Sequence, residues 1–139
     1  MFSAAEAFAK ATKITDEQRI EMIKNDLTLC IRRFIIDIRN AVIEAMQCGS
    51  TEAHHYMWIS SLDKYGKTAY TAIKNILTPA ILDSIARKFR QLGYEVIRIC
   101  DGLRLSWEDP DPEKIVIKQL EMDEIVTSAM NGFRAIKNS

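Results

Sequence analysis

The sequence predicts an α+β fold, read as one domain over residues 1–139, and three observations predict it. Between Thr15 and Gly49 apolar residues recur at threes and fours, the period of a helix. Residues 94–107, "YEVIRICDGLRLSW", are rich in β-branched residues around an Asp-Gly turn, the pattern of a hairpin. No repeat, low-complexity tract or linker divides the chain. The expected architecture is a long N-terminal helix, a helix pair and a small, mainly antiparallel sheet that includes the 94–107 hairpin.

Ser3 and Glu6 have capping-box spacing and open a short helix over residues 1–13, with Phe2, Ala5, Phe8 and Ala9 on one face. Thr15 and Gln18 repeat the box, with Ile14 placed as a hydrophobic staple. Ile20, Ile23, Leu27, Ile31, Phe34, Ile38, Val42 and Ala45 then form one stripe. Gly49 supplies a left-handed stop. A helix of about thirty residues far exceeds the usual length of about 11–12. Ile35, Ile36 and Ile43 widen its apolar surface beyond one stripe. Either other elements wrap this helix or a second subunit covers part of it, and self-association is the favoured reading.

His54 to Ile59 is short and aromatic and predicts a strand. Residues 68–77 predict a helix, and Thr78-Pro79 predicts a restart, with an N-cap followed by proline at the first helical position. Ile81, Ile85, Phe89 and Leu92 mark the buried face of this second helix. Gly93 ends it, and Tyr94 folds back on it. With Asp101-Gly102 as the turn, Cys100 faces Leu103, Arg98 faces Leu105 and Val96 faces Trp107. Residues 108–139 open on a stiff acidic connector, Asp109-Pro110-Asp111-Pro112. Ile115-Val116-Ile117 is read as a further strand, because three β-branched residues disfavour helix. Asp123 is read as the cap of a last helix through Ile125, Val126, Ala129, Met130 and Phe133.

The 139 residues are 47% hydrophobic and 27% charged, values of a folded protein. Nineteen basic residues balance nineteen acidic ones, so nothing global favours nucleic-acid binding, which is not expected. Three scattered cysteines without a C-x-x-C pair point to a reducing setting. The N-terminus lacks the basic start and long apolar run of a signal peptide. No uncharged stretch approaches the eighteen or so residues of a membrane span. The chain is expected to be soluble and not secreted.

Gly66-Lys67-Thr68 ends "SSLDKYGKT" as a phosphate-binding P-loop ends. A P-loop also needs a glycine five residues earlier, where this chain has Ser61, and Asp63 would face the phosphate. The stretch is therefore read as a connector, with Gly66 turning and Thr68 capping the following helix. His54-His55, near Cys48 and Glu52, is the one cluster that suggests zinc. Neighbours on a strand point to opposite faces, which argues against a shared metal, and no cofactor is expected. Cys48 and Cys100 are read as buried small hydrophobes, not nucleophiles. Arg87, Arg90, Arg98 and Arg104, with Lys88, straddle the helix–hairpin junction and form a candidate anion site.

The order of "AVIEAMQCGSTEAHHYMWI", "LGYEV" and "GLRLSW" is similar to that of small proteins encoded by tailed bacteriophages. In these a helix, a strand, a helix and a Gly-Tyr-x-Val hairpin ending in Ser-Trp recur. The resemblance spans roughly residues 38–108, about half the chain, and transfers no catalytic residue. It implies a non-enzymatic phage protein, resident in the virion or the host cytoplasm, that works through contacts with itself and with phage or host proteins. Ile35, Ile36 and Ile43 are the expected contact residues. The alternative is a binder of a nucleotide or phosphate, for example one that sequesters a nucleotide signal in defence of the phage. Its anion would sit on the four arginines, with Tyr94 or Trp107 stacking on a base.

Overall fold

The computed structural model describes residues 15–137, with side chains described through residue 132. The expected helix over 1–13, the Ile14 staple and the Phe133 contact lie outside these limits. Helix α1 runs Asp16–Gln47. At its start the Thr15 hydroxyl accepts from the Gln18 amide at 3.1 Å, and the Gln18 side chain accepts from the Thr15 amide at 3.0 Å. At its end Gly49, with φ 76°, donates to Met46 O, and Ser50 donates to Ala45 O at 2.8 Å. This paired closure satisfies the last carbonyls and needs a residue free to adopt positive φ. Leu27, Ile31, Phe34, Ile38 and Val42 are buried along the expected stripe.

Strand β1 is Glu52–Tyr56, starting two residues before the predicted strand and ending three before it. It is cut short where Met57 donates to Asp101 O at the hairpin turn, after which Met57 and Ile59 drop into the core. A 3-10 turn, Ser60–Tyr65, leads to Gly66, whose φ of 95° reverses the chain. Helix α2 occupies residues 67–91, and here the predicted pair is corrected. Lys67–Ala72, a π turn Ile73–Leu77 and Thr78–Gln91 run on without a break. Thr78 has helical φ and ψ of −59° and −48° and is no N-cap. Proline lacks an amide hydrogen and its ring presses on the carbonyl four residues back, here Asn75. The wider π turn before Pro79 relieves that contact without ending the helix. Thr78 seals it: its amide donates to Ile73 O, and its buried hydroxyl donates to the same oxygen at 3.1 Å. Thr78→Val removes the hydroxyl bond at similar size and is expected to lower stability by about 1 kcal/mol in urea unfolding. Thr68 likewise lies inside the helix and caps nothing, since the N-cap position falls to Gly66.

At the other end of α2, Gly93 has φ 96°, and Tyr94 donates to Phe89 O at 3.2 Å, the closure expected there. Strands β2, Glu95–Ile99, and β3, Gly102–Ser106, form the hairpin. Its register corrects the expected one: Ile99 faces Gly102, Arg98 faces Leu103, and Val96 faces Leu105. The two-residue turn is Cys100-Asp101, with Cys100 at φ 49°. The slip from the predicted pairing is two residues, so every side chain keeps its face. Val96, Leu103, Leu105 and Trp107 are all buried.

The sheet is antiparallel throughout, in the order β1-β3-β2. Helix α1 packs on β1 and the second half of α2 on β2, so both helices cover the same side. Among the described residues the opposite side is uncovered, with Tyr56 and Ile97 exposed on it. Ile115–Ile117 forms no strand; after a 3-10 turn, Pro112–Lys114, it runs as extended chain along α1. Its alternate residues Ile115 and Ile117 are buried, so β-branching here serves packing without a ladder. Helix α3, Gln119–Lys137, begins four residues before Asp123, which instead accepts from the Gln119 side chain at 2.9 Å. It packs against α1 and α2.

Candidate functional site

The three expected contact residues of α1 separate in the structure. Ile35 is buried, at the floor of a cleft shared with residues 115–117 and Met122, and this removes it from the predicted contact surface. Ile36 stays 50% exposed, and Ile43 is half-buried. Sequence reasoning missed the company Ile36 keeps. Leu29 and Met22, 57% and 45% exposed, stand seven and fourteen residues before it, and Ile43 stands seven after. Apolar residues at sevens form a nearly straight seam on a helix, the arrangement used in helix pairing. The seam was present in the sequence but hidden by the stronger stripe that enters the core. Val116, 51% exposed, adjoins Ile36 across a small cleft of about 130 Å³. Arg32 donates to the Gln119 side chain and Arg39 lines the same cleft, so cationic groups flank the apolar line.

The four arginines do not converge. Arg98 and Arg104 occupy opposite faces of the sheet, since Arg98 pairs with Leu103 and Arg104 with Ile97. Arg98 sits 3.7 Å from Asp83, and Arg90 donates to Val96 O at 2.9 Å. Arg87 donates to the Ser84 hydroxyl, and Lys88 pairs with Glu121 at 3.3 Å. Arg90 and Arg98 thus fasten α2 to β2, and Lys88 fastens it to α3. Tyr94 and Trp107, the aromatics expected to stack on a base, are buried edge to face with ring centres 6.1 Å apart. The Tyr94 hydroxyl accepts from the Asp111 amide at 3.1 Å and anchors the acidic connector.

His54 and His55 do point to opposite faces. His55 lies beside Asp37 at 3.4 Å and near the Phe34 ring, whereas His54 lies on the open face opposite Arg104. No group of three metal-ligating side chains occurs among the described residues. Cys48 and Cys100 are exposed, against expectation, because one closes a helix and the other forms a turn. Cys30 is half-buried, and burial pushes its thiol up, away from thiolate. Among the described residues no helix is long and apolar enough to cross a membrane.

The "SSLDKYGKT" connector is held to α1 by a polar cluster. The Tyr65 hydroxyl donates to Asp26, Lys64 stands 3.0 Å from the same carboxylate, and Arg19 donates to Tyr65 O. The Tyr65 bond holds the Asp26 carboxyl below its usual value. Burial, with the Asp26 contact, pushes the Tyr65 hydroxyl up to about 12. A raised phenol favours the protonated native state, so its stabilisation is complete below about pH 10 and is lost as pH rises through the folded value. A lowered carboxyl acts the other way: its contribution holds above about pH 4 and is lost as pH falls through the depressed value. Urea midpoints are therefore expected to fall on both flanks, and Tyr65→Phe is expected to remove most of the alkaline loss.

The open face of the sheet carries the outward-facing residues of the strand predicted over His54 to Ile59. His54, Tyr56 and Trp58 form a row, with ring centres 6.0 Å apart at each step. Trp58 is 69% exposed and, with Tyr56, Tyr70, Lys74, Cys100 and Asp101, lines a cleft of about 380 Å³ beside the hairpin turn. Alternation of aromatics at every second residue was the legible signal of an outer row. No family model, curated protein or solved structure matches the chain.

Proposed function

We propose that this is a non-enzymatic, phage-encoded protein that acts through protein–protein contacts, as an accessory component of a particle or an oligomeric adaptor, in the virion or the host cytoplasm. The observation that supports this reading is the seam Met22–Leu29–Ile36–Ile43 along the outer side of α1. A helix of 32 residues extends about 48 Å, long enough to align with a second such helix over several turns. Exposed apolar residues scattered singly need no partner, but a line of them at fixed spacing suits one. In this reading Ile36 and Ile43 carry the contacts together with Met22 and Leu29.

Light scattering at micromolar concentration tests the proposal. The expected result is an oligomer that Leu29→Glu with Ile36→Glu converts to a folded monomer. A strict monomer of 15.9 kDa for the unaltered chain would overturn self-association.

A further inference from the structure

The cleft beside the hairpin turn gathers features that neither the core nor the α1 seam explains. Trp58 exposes its indole there, and Tyr56 stands beside it. The π turn of α2 presents Lys74, which forms no ion pair among the described residues. Cys100 holds a positive φ that residues with a Cβ seldom adopt, and such departures gather at functional sites. Asp101 adds a carboxylate at the rim, and Met57 and Ile59 beneath are buried and apolar. The volume, about 380 Å³, falls within the range of about 300–1,000 Å³ for small-molecule sites.

We propose that this cleft binds a nucleobase that carries a phosphate. An exposed indole with a neighbouring phenol offers a π surface on which any base can stack. Lys74 supplies the cation for the phosphate, and its compact ammonium suits a phosphate oxygen. The Asp101 carboxylate, which accepts hydrogen bonds and donates none, recognises an exocyclic amino group, which adenine and cytosine have and uracil lacks. A protein partner would use a broader, flatter surface than this concave one. The ligand is either a free mononucleotide or a nucleotide within a single strand, since both present the same base and phosphate. The proposal rests on neither the α1 seam nor self-association.

Calorimetric titration of the full chain with AMP, adenosine, UMP and the pentanucleotide d(A)5 tests it. AMP is expected to bind saturably and to quench tryptophan emission, because Trp58 is exposed and Trp107 is buried. Adenosine is expected to bind about tenfold more weakly for want of the Lys74 contact. UMP is expected to bind more weakly than AMP. Lys74→Met should reduce AMP to the affinity of adenosine and leave adenosine unchanged, and Trp58→Ala should abolish both. Both residues are exposed, and circular dichroism confirms that each variant is folded. Tighter binding of d(A)5 than of AMP identifies a strand as the source, and equal binding identifies the free nucleotide. Absence of saturable binding by every probe at millimolar concentration overturns the proposal. So does an unchanged AMP-to-adenosine ratio in Lys74→Met, or full AMP affinity in Trp58→Ala.

Discussion

Replacing Gly102 with alanine is expected to lower stability by about 3 kcal/mol or more and the melting temperature by about 10 °C. Gly102 opens the central strand and faces Tyr56 of β1. A Cβ there would lie 3.0 Å from Tyr56 Cα and 2.9 Å from Tyr56 Cδ1, and would come closer still to His55 O. Two of these three atoms are backbone, so no rotamer change relieves the clash. The whole β1 edge would have to move away from β3, with loss of ladder bonds and of the Met57–Asp101 contact. Gly132→Ala is the control. It lies on exposed helix with nothing within 4 Å, and alanine there is expected to stabilise by about 0.5–1 kcal/mol. Equal midpoints for Gly102→Ala and the parent chain would show that β1 does not pack on β3 as described.

Phe34→Ala is expected to cost about 3–5 kcal/mol, a large share of the roughly 5–15 kcal/mol that such a domain has in all. Phe34 is among the largest fully enclosed side chains and lies where α1 crosses β1, with its ring centre 6.3 Å from that of His55. Its removal opens a cavity between the longest helix and the sheet, and neither can close it without losing register. Urea unfolding should show a lower midpoint with an unchanged slope. Ile36→Ala, two residues along the same helix, is expected to change stability by less than about 1 kcal/mol in a monomer, because half of Ile36 is already in water. A large cost at Ile36 in the assembled protein would place its burial in the oligomer.

The two proposals make different demands on the biology. A particle component is detected by mass spectrometry of purified particles, whereas a nucleotide binder need not be packaged. The surfaces themselves are separate: the α1 seam lies on the helical side of the sheet, and the Trp58 cleft lies beside the hairpin turn. A glutamate pair at Leu29 and Ile36 is therefore expected to leave nucleotide titrations unchanged.

Much of the architecture was legible because its signals are local. Thr15 with Gln18 marks a helix start through bonds between neighbours, and Gly49 and Gly93 mark ends through their own φ. The 3.6-residue period names the core face of α1, and the period of two keeps Val96, Leu103, Leu105 and Trp107 together despite the slipped turn. The misplaced elements share a cause. Thr78-Pro79 carries a start signal, yet burial of Thr78 and a π turn let the helix continue. Asp101-Gly102 carries a turn signal, yet β1 approaches too closely for Gly102 to be anything but strand.

The candidate surfaces were less legible, since exposure belongs to the assembled fold. Ile35 and Ile36 are chemically the same residue, and only the packing of later segments on α1 decides that one is covered and the other open. Likewise only the fold leaves Trp58 exposed while Trp107 is buried. The sequence by itself determined which elements form and which faces they turn inward, because caps, turns and periodicity act over a few residues. Tertiary structure alone decided which apolar surfaces remain uncovered and where the arginines point, because both depend on contacts between residues tens of positions apart.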